Sequence, residues 1–236
     1  MLLLARGEHR IPLVEAARLP FTLNGRARHN IENALAAAAA LVALGIARDR
    51  IVAGLSTFTS GSSHNPLRLN VFRTHGIALL VDYAHNAAAY RAIIDTARQL
   101  TTRRLHGVVA APGDRRDDDL VEVGRVCRAG FDELVLYELD EWRGRPAGAT
   151  VEWLGRGVPA ARAAARVVLD VHEALREAWR MARSGDALVL GCASRVGELA
   201  QALSGLVEIV AVDACTLCAA LSTTPRDERE SAAVDL

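Results

Sequence analysis

The sequence contains no lysine, few aromatic residues and no long apolar run. All 28 of its cationic side chains are arginines, and they balance 28 aspartates and glutamates. This balance argues against a broad attraction to nucleic acid or to a membrane surface, although it allows a local anion site, which arginine suits through its bidentate geometry. The apolar run after Met1 ends at Ala5, far too short for a signal peptide, and no other run approaches a membrane span.

Aromatic residues make up 4% of the chain and hydrophobic residues 51%, so the core must be built from Ala, Val and Leu. The 236 residues suit one large domain, or one medium domain plus a further piece. The four cysteines show no extracellular disulfide framework, and we expect a protein of the reducing cytoplasm. Cys215 and Cys218 have C-x-x-C spacing, but no second pair or histidine cluster completes a zinc site, so we predict no metal ligands.

The most informative stretch runs from Ile77 to Gln99. Its first five residues are an apolar run typical of a buried strand, and its last thirteen carry apolar residues at helical spacing. Between them lie Asp82, His85 and Asn86. Parallel sheets bind ligands beyond the carboxyl ends of their strands, which is where these three residues are expected to lie. The alternative is that Asn86 only caps the helix and Asp82 only holds the turn.

Strand and helix patterns alternate along the rest of the chain, which predicts an α/β domain with a Rossmann-like, mainly parallel sheet. The predicted strands span residues 68–73, 77–81, 105–111, 133–138, 187–190 and 207–212. Helices are predicted at 87–100, from 117 onward, and at 171–183 and 198–203, whereas 160–169 fits neither period. A hairpin of residues 2–4 and 9–13, an alanine-rich helix at 27–44 and a short helix at 49–55 come before the sheet.

Two asparagines, Asn30 and Asn33, lie three residues apart in the first turn of the alanine-rich helix and therefore share one face. Amide side chains can both donate to and accept from an adenine edge, and the positive end of the helix dipole favours a nearby phosphate. The alternative is that one asparagine caps the helix while the other is solvated.

A polar stretch at residues 56–66 is the best linker candidate. We therefore expect three parts: residues 1–65, an α/β domain at 66–212, and a charged, proline-containing tail at 213–236 that is disordered.

Four motifs together resemble the Mur ligase family, whose members are ATP-dependent ligases that join an amino acid to a carboxylate. They are RHNIENALAAAAA at 28–40, RLNVF at 68–72, VDYAHN at 81–86 and AAPGDRRDDD at 110–119. They stand in the family's order, cover about residues 1 to 210, and are most similar to the cyanophycin synthetase type within the family. The resemblance implies that residues 1–65 are the end of a central ATPase domain and that 66–212 are the C-terminal domain, joined by a hinge.

The resemblance also implies roles for single residues. Asn30 and Asn33 would lie near the ATP, with Asn86, Asp114 and Arg115 as further nucleotide-binding residues. Arg68 would approach the ATP phosphates, and it forms the catalytic set with Asp82 and His85. Leu67 stands where the family usually has glycine, and its side chain could restrict that approach.

Two loops after strands carry the remaining candidates. Asp114 and Arg115 would lie beside the VDYAHN loop if their strands are neighbours. Arg143 and Arg145 lie in a charged loop at 140–148, the region that carries substrate-specific residues in peptidoglycan ligases; the alternative is a plain exposed loop. The loop at 191–197 resembles a phosphate-binding turn only superficially, and we interpret it as strand-to-helix geometry.

The family's Walker loop, G-x-x-G-K-S/T, does not occur in the sequence, nor are the family's magnesium-binding glutamate and modified lysine recognised. The resemblance implies ATP and Mg²⁺ as cofactors. Its substrates would be an amino acid, with arginine favoured, and a carboxylate such as an aspartate side chain of a polyaspartate.

Three hypotheses remain. The chain is a portion of such a ligase, incomplete or one half of a split enzyme that works with a P-loop-containing half or as a homo-oligomer. It is a non-catalytic binding or regulatory module derived from the C-terminal domain. Or it is an unrelated nucleotide-binding α/β enzyme, which the missing glycine fingerprint disfavours.

Overall fold

The computed structural model describes residues 1–6, 8–61, 65–101, 103–158, 165–192 and 210–211. The strands in these ranges are β1 (Leu2–Arg6), β2 (His9–Val14), β3 (Asn70–Thr74), β4 (Ile77–Asp82), β5 (Leu105–Val109), β6 (Glu133–Leu136), β7 (Arg166–Val167), β8 (Ala187–Gly191) and β9 (Val210–Ala211). The α-helices are α1 (Arg28–Ala43), α2 (Arg48–Thr57), α3 (Ala87–Arg98), α4 (Asp117–Gly130), α5 (Ala149–Arg156) and α6 (Val171–Met181). The helix predicted at 198–203, most of the strand predicted at 207–212, most of the 191–197 loop and the tail with Cys215 and Cys218 lie outside the described residues.

Seven strands form one sheet in the order β7-β6-β5-β8-β4-β3-β9. The five strands from β7 to β4 pair in parallel, whereas β3 is antiparallel to both β4 and β9. The predicted α/β class with a mainly parallel sheet is therefore confirmed. The strands β3 and β4 are joined by a two-residue turn at His75 and Gly76. Both residues have positive φ, which a two-residue hairpin turn needs if its twist is to match that of the two strands.

Each face of the sheet is covered by helices, and side chains alternate between the faces along β4. Ala78 and Leu80 belong to the core beneath α3, α4 and α5, while Leu79 and Val81 belong to the core beneath α6. Burial on both faces explains why the strand sequences are almost continuously apolar.

The short helix α5 was not predicted from the sequence. It buries Val151 and Leu154 against α4, where a Cβ on Gly124 would overlap the Leu154 carbonyl oxygen. Gly155 lies inside this eight-residue helix, and Gly148 and Gly157 flank it. These three glycines obscure its period, so its existence depends on this close helix contact.

Residues before the linker form a smaller unit with its own core. The hairpin β1–β2 is confirmed, and it packs with α1 and α2 around a cluster made of Leu2, Leu13, Leu19, Phe21, Ala34, Ala38 and Ile51. Leu23 and Ala27 belong instead to the sheet core on the α3 side, so this unit contacts the α/β domain at the start of α1. None of the described helices is long and apolar enough to cross a membrane.

Candidate active site

A cavity of about 390 Å³ lies between the start of α1, the segment before β3, and the junction of β4 with α3. The residues that line it are His29, Asn30, Asn33, Asn65, Arg68, Leu69, Asp82, Ala89, Ala92 and Ile93. Asn30, Asn33, Arg68 and Asp82 were singled out from three separate motifs in the sequence. The fold brings these four together around one cavity.

The two asparagines are not helix caps. Ala27 is the N-cap residue of α1 and no side chain caps this end, so that alternative is wrong. The Nδ2 group of Asn30 donates to the Phe21 carbonyl at 2.7 Å, which fixes the amide and leaves its Oδ1 as the acceptor toward a ligand. Asn33 is exposed one turn later on the same side.

Asp82 lines the cavity and also holds the turn, so both interpretations of this residue describe real contacts. Its Oδ2 accepts a hydrogen bond of 2.8 Å from the Leu69 amide. Burial raises the pKa of Asp82 and outweighs the Leu69 hydrogen bond and the nearby charges of His29 and Arg68, which lower it. A desolvated carboxylate that lines an open cavity is a candidate for binding polar groups of a ligand.

His29 is a cavity residue that the sequence interpretation missed. Burial lowers the pKa of His29, against the opposing effect of the Asp82 carboxylate. Its Nδ1 is buried without a hydrogen-bond partner among the residues that the structure describes. The available signal was its position directly before Asn30 in the RHN sequence.

Arg68 lies at the cavity mouth, exposed, with its guanidinium carbon 5.5 Å from the centre of the Tyr83 ring. Leu67 before it has φ of +60°, a left-handed conformation that favours glycine, which accounts for the glycine expected here. The Leu67 side chain packs with the α6-side core and is absent from the cavity lining. The expected restriction of the Arg68 approach is therefore not found.

His85 and Asn86 do not line the cavity. Asn86 is the N-cap of α3, where its Oδ1 accepts from the Ala89 amide at 2.9 Å, as the structural alternative predicted. His85 folds over the same turn, with its Nδ1 at 3.0 Å from the Tyr83 carbonyl oxygen and its ring centre 5.4 Å from that of Tyr83.

A second polar cluster lies beyond the carboxyl ends of β5, β6 and β8. The strands β4 and β5 are separated by β8, so the condition that would place Asp114 and Arg115 beside the VDYAHN loop as strand neighbours is not met. Asp114 instead accepts a hydrogen bond of 3.1 Å from Arg143, and Arg115 lies 3.8 Å from its other oxygen. The Asp114 hydrogen bond raises the pKa of Arg143.

Arg143 and Arg145 have different surroundings although both belong to the charged loop. Arg145 donates to the Gly113 carbonyl at 2.6 Å and pairs with Asp117 at 2.7 Å, and 19% of its side chain is exposed. A Cβ on Gly113 would overlap the Trp142 carbonyl oxygen, so the two loops approach as closely as the backbone allows. Arg145 thus links the two loops through its contacts with Gly113 and Asp117, whereas Arg143 binds Asp114 in the second polar cluster.

Three acidic residues, Asp117 to Asp119, lie in the first turn of α4. Two of them are ion-paired: Asp117 with Arg145, and Asp119 with Arg116 at 2.9 Å.

Burial raises the pKa of the Cys192 thiol to about 12, against the nearby charges of Arg143 and Arg115.

In the described part of the chain, no group of three or more His, Cys, Asp or Glu side chains is arranged to hold a metal ion.

Comparison with known proteins identifies the architecture that carries these two clusters. The family model for the Mur ligase, glutamate ligase domain matches residues 67–195. This chain belongs to the Mur ligase family. Both loops at the carboxyl ends of the strands, and Arg68 at the cavity mouth, lie inside the matched range, whereas Asn30 and Asn33 precede it.

Sequence and structural relatives agree with this assignment. The chain is 38% identical over 184 residues to cyanophycin synthetase of a Nostoc species, covering 77% of this chain and 20% of that protein. It superposes with TM-score 0.57 on a pseudomurein peptide ligase type C from Methanothermus fervidus, at 22% identity over 75% of this chain and 36% of the other. E. coli FolC in complex with ADP gives TM-score 0.57 at 20% identity, over 85% and 43% of the two chains. The chain spans about a fifth of the length of the cyanophycin synthetase it matches.

Proposed function

We propose that this chain forms the base-facing and amino-acid-facing parts of an ATP-dependent ligase site. The enzyme would join an amino acid to a carboxylate through an acyl phosphate. The observation that carries the proposal is the cavity that gathers Asn30, Asn33, Arg68 and Asp82 from separate motifs. An amide pair, a carboxylate and a guanidinium around one cavity are complementary to a base, a sugar hydroxyl and a phosphate, respectively.

The fit to ATP is partial. Asn30 and Asn33 would face the base, Asp82 would accept from ribose hydroxyls, and Arg68 would neutralise phosphate charge. The superposition on E. coli FolC in complex with ADP supports a nucleotide ligand. The chain has neither a Walker loop nor a lysine, so the phosphate cradle would be supplied elsewhere. We assign no magnesium ligand to this chain, because its described residues offer no carboxylate cluster.

The chemistry depends on positioning and charge neutralisation. A substrate carboxylate would attack the γ-phosphate of ATP and displace ADP, which gives an acyl phosphate. The amine of the amino acid would then attack the acyl carbon, and the amide would form with loss of a proton and of inorganic phosphate. Domain closure would bring Arg68, Asp82 and His85 to the reacting groups and exclude water. Asn86 would contribute indirectly, by fixing the turn that carries Asp82 and His85.

Arginine is the amino acid we favour, and an aspartate side chain the carboxylate, because of the 38% identity to cyanophycin synthetase. The Asp114–Arg143 pair supports an amino acid at the second cluster, since its charges are complementary to an ammonium and a carboxylate group. Arg115 lies close enough to add a second cation, while Arg145 keeps the loop in place.

A partner is part of the proposal. Residues 1–65 would be the end of a central ATPase domain, 66–212 the C-terminal domain and 213–236 a tail. In the first part, Leu35 is 40% exposed, Leu44 76% and Phe58 45%, and of the residues of α1 only Ala34 and Ala38 are buried. Such apolar exposure suits a P-loop-containing half or, as the other outcome, a second copy of this chain.

A non-catalytic binding or regulatory module is the second candidate. One observation favours it: Asp82 and Asn86 both have structural partners, at Leu69 and Ala89, that would be retained without catalysis.

Measuring amino-acid-dependent phosphate release from ATP separates the two candidates. The chain should be inactive alone and become active when mixed with a separately expressed P-loop-containing half. Asp82→Ala should abolish the restored activity, whereas Asp95→Ala, an exposed position on α3, should leave it intact. Persistent inactivity in the mixture, with nucleotide still bound, would support the regulatory module.

A further inference from the structure

Arg68 lies between two leucines whose backbones are left-handed. Leu67 has a φ of +60° and Leu69 a φ of +50°, a region that is unfavourable for residues with a Cβ. Side chains two residues apart in a strand point to the same face of a sheet, but Leu67 packs in the α6-side core and Leu69 in the α3-side core. The two left-handed residues thus anchor the chain in both cores, on either side of Arg68. Such a backbone persists only where its surroundings hold it in place.

Asn70 supplies two of the contacts that hold this segment. Its Oδ1 accepts a hydrogen bond of 2.7 Å from the Leu67 amide, and its Nδ2 group donates to the Asn65 carbonyl oxygen at 3.0 Å. Only 2% of Asn70 is exposed, so both bonds are shielded from competition with water. The side chain therefore fixes the backbone at two points directly before Arg68. Because Arg68 itself is exposed, the direction of its side chain depends on the backbone that carries it.

We propose that Asn70 is a positioning residue, which holds Arg68 and Asn65 at the nucleotide cavity that both of them line. Asn70 is not among the lining residues, so it acts through its neighbours. This inference rests on the proposed function and deepens it, because Asn70 contributes to phosphate recognition without touching the ligand. An arginine on a fixed backbone loses less freedom when it binds a phosphate, which favours binding. Loss of the Asn70 side chain removes this advantage even though Arg68 is intact.

The position of Arg68 is measured without any ligand. Its guanidinium carbon lies 5.5 Å from the centre of the Tyr83 ring, so the ring current of the tyrosine shifts the side-chain proton resonances of Arg68. These resonances are assigned by comparing NMR spectra of the full chain with those of its Arg68→Lys variant. In Asn70→Ala they should move toward the positions found for arginine in an unfolded chain. Unchanged Arg68 resonances in Asn70→Ala would overturn the proposal.

Thr101→Ala is the matched control for Asn70→Ala. The Thr101 side chain is also buried, and its hydroxyl donates to the Gly185 carbonyl at 2.6 Å and accepts from the Arg103 amide at 3.0 Å. These contacts precede β5 and β8, at the opposite end of the sheet. Thr101→Ala therefore loses the same kinds of bond and should lower the thermal stability, but it should leave the Arg68 resonances where they are. A shift of equal size in both variants would mean that general loosening of the fold moves Arg68, which contradicts a specific role of Asn70.

Amide hydrogen exchange in the wild-type chain tests the same contacts if Asn70→Ala does not fold. The Leu67 amide should be protected, because its hydrogen bond goes to a buried side chain. Exchange of the Leu67 amide at the rate of an unfolded peptide would contradict the proposal.

The functional part is tested by the ratio of ADP affinity to adenosine affinity, which isolates the contribution of the phosphates. In the wild-type chain ADP should bind tighter by up to about tenfold, the contribution of one exposed arginine. Asn70→Ala should bring the ratio close to one, while Thr101→Ala should leave it at the wild-type value. Arg68→Ala should also bring the ratio close to one, and adding Asn70→Ala should lower it no further, because both changes remove the same contact. A further fall in the double variant would show that Asn70 acts independently of Arg68 and would contradict the proposal.

These measurements keep the inference separate from the proposed function. If neither ADP nor adenosine binds to the wild-type chain, the proposed nucleotide site is refuted, and the Arg68 resonances and the Leu67 amide then decide the positioning role alone. If both ligands bind and Asn70→Ala keeps the wild-type affinity ratio, the proposed site stands and the role of Asn70 is refuted.

Discussion

The carboxylate of Asp82 accepts a 2.8 Å hydrogen bond from the backbone amide of Leu69, across the antiparallel pair β3–β4. The same carboxylate lines the cavity into which Asn30 and Arg68 project. One side chain therefore stabilises the entry to β3 and presents a desolvated charge to a ligand. Because burial raises its pKa, the charge itself costs stability in the folded state.

Asp82→Asn is expected to stabilise the fold at neutral pH while weakening nucleotide binding. Between the ordinary pKa of 3.8 and the raised folded-state pKa, the unfolded chain loses its proton before the folded chain does. Wild-type stability contributed by Asp82 therefore falls as pH rises through this window. Asparagine keeps an oxygen that accepts from the Leu69 amide but carries no charge. The gain in unfolding free energy of Asp82→Asn over wild type is therefore largest above this pH window and shrinks as the pH falls through it.

Urea unfolding of wild type and Asp82→Asn at a series of pH values from neutral downward measures this difference. Asp95→Asn, an exposed aspartate on α3, is the matched control and should show no comparable pH-dependent gain. Destabilisation of Asp82→Asn at neutral pH would mean that the hydrogen bond to Leu69 outweighs the cost of burial.

Leu67→Gly is expected to change stability by no more than about 1 kcal/mol and to leave nucleotide affinity unchanged. Glycine relieves a left-handed conformation that costs roughly 1–2 kcal/mol, but it loses the packing of a half-buried leucine, which is of similar size. Thermal unfolding and ADP titration check the two parts. Tighter ADP binding in the variant would show that the Leu67 side chain obstructs the site after all.

The two loop arginines are expected to respond in opposite ways. Arg145→Ala should destabilise the chain by about 1–3 kcal/mol, because it breaks charge-assisted hydrogen bonds in a mostly buried setting. Arg143→Ala should affect stability much less, since its ion pair with Asp114 is partly exposed, yet it should weaken arginine binding. Denaturant unfolding and arginine titration of both variants measure this. A loss of stability in Arg143→Ala together with a loss of arginine binding in Arg145→Ala would contradict the roles assigned to these two residues.

Cys192 is expected to resist alkylation in the folded chain. Its thiol is fully buried, and its pKa of about 12 keeps it protonated at neutral pH, where the reactive thiolate is scarce. Mass spectrometry after brief iodoacetamide treatment should find it unmodified, as for Cys127, which is also buried, and find both modified in urea. Rapid native modification of Cys192 would show that the loop after β8 opens readily.

The fold was predictable because strong local patterns agreed with the final packing. Apolar runs such as Ile77 to Val81 and capping signals such as Asn86 lie inside the elements they predicted. The helix α5 was not predictable, because it is short and depends on contact with Gly124. Strand order could not be predicted either, because no local sequence pattern indicates that β8 lies between β4 and β5 in the sheet.

The candidate site was predictable only in part, for a related reason. Motif spacing brought out Asn30, Asn33 and Asp82, and the family resemblance added Arg68; all four line the cavity. His29 was missed because its importance lies in its place beside Asp82 in the cavity lining. Such relationships arise from tertiary placement and leave no local period in the sequence.

The most direct test of the account compares the affinities of adenosine, ADP and ATP for this chain, measured by titration under identical conditions. If the chain supplies the base and ribose side of the site without a phosphate cradle, adenosine should bind, and ATP should bind no more than about tenfold tighter, the contribution of one exposed arginine. Two results would contradict the account: no binding of adenosine at all, or ATP binding tighter than adenosine by two orders of magnitude or more.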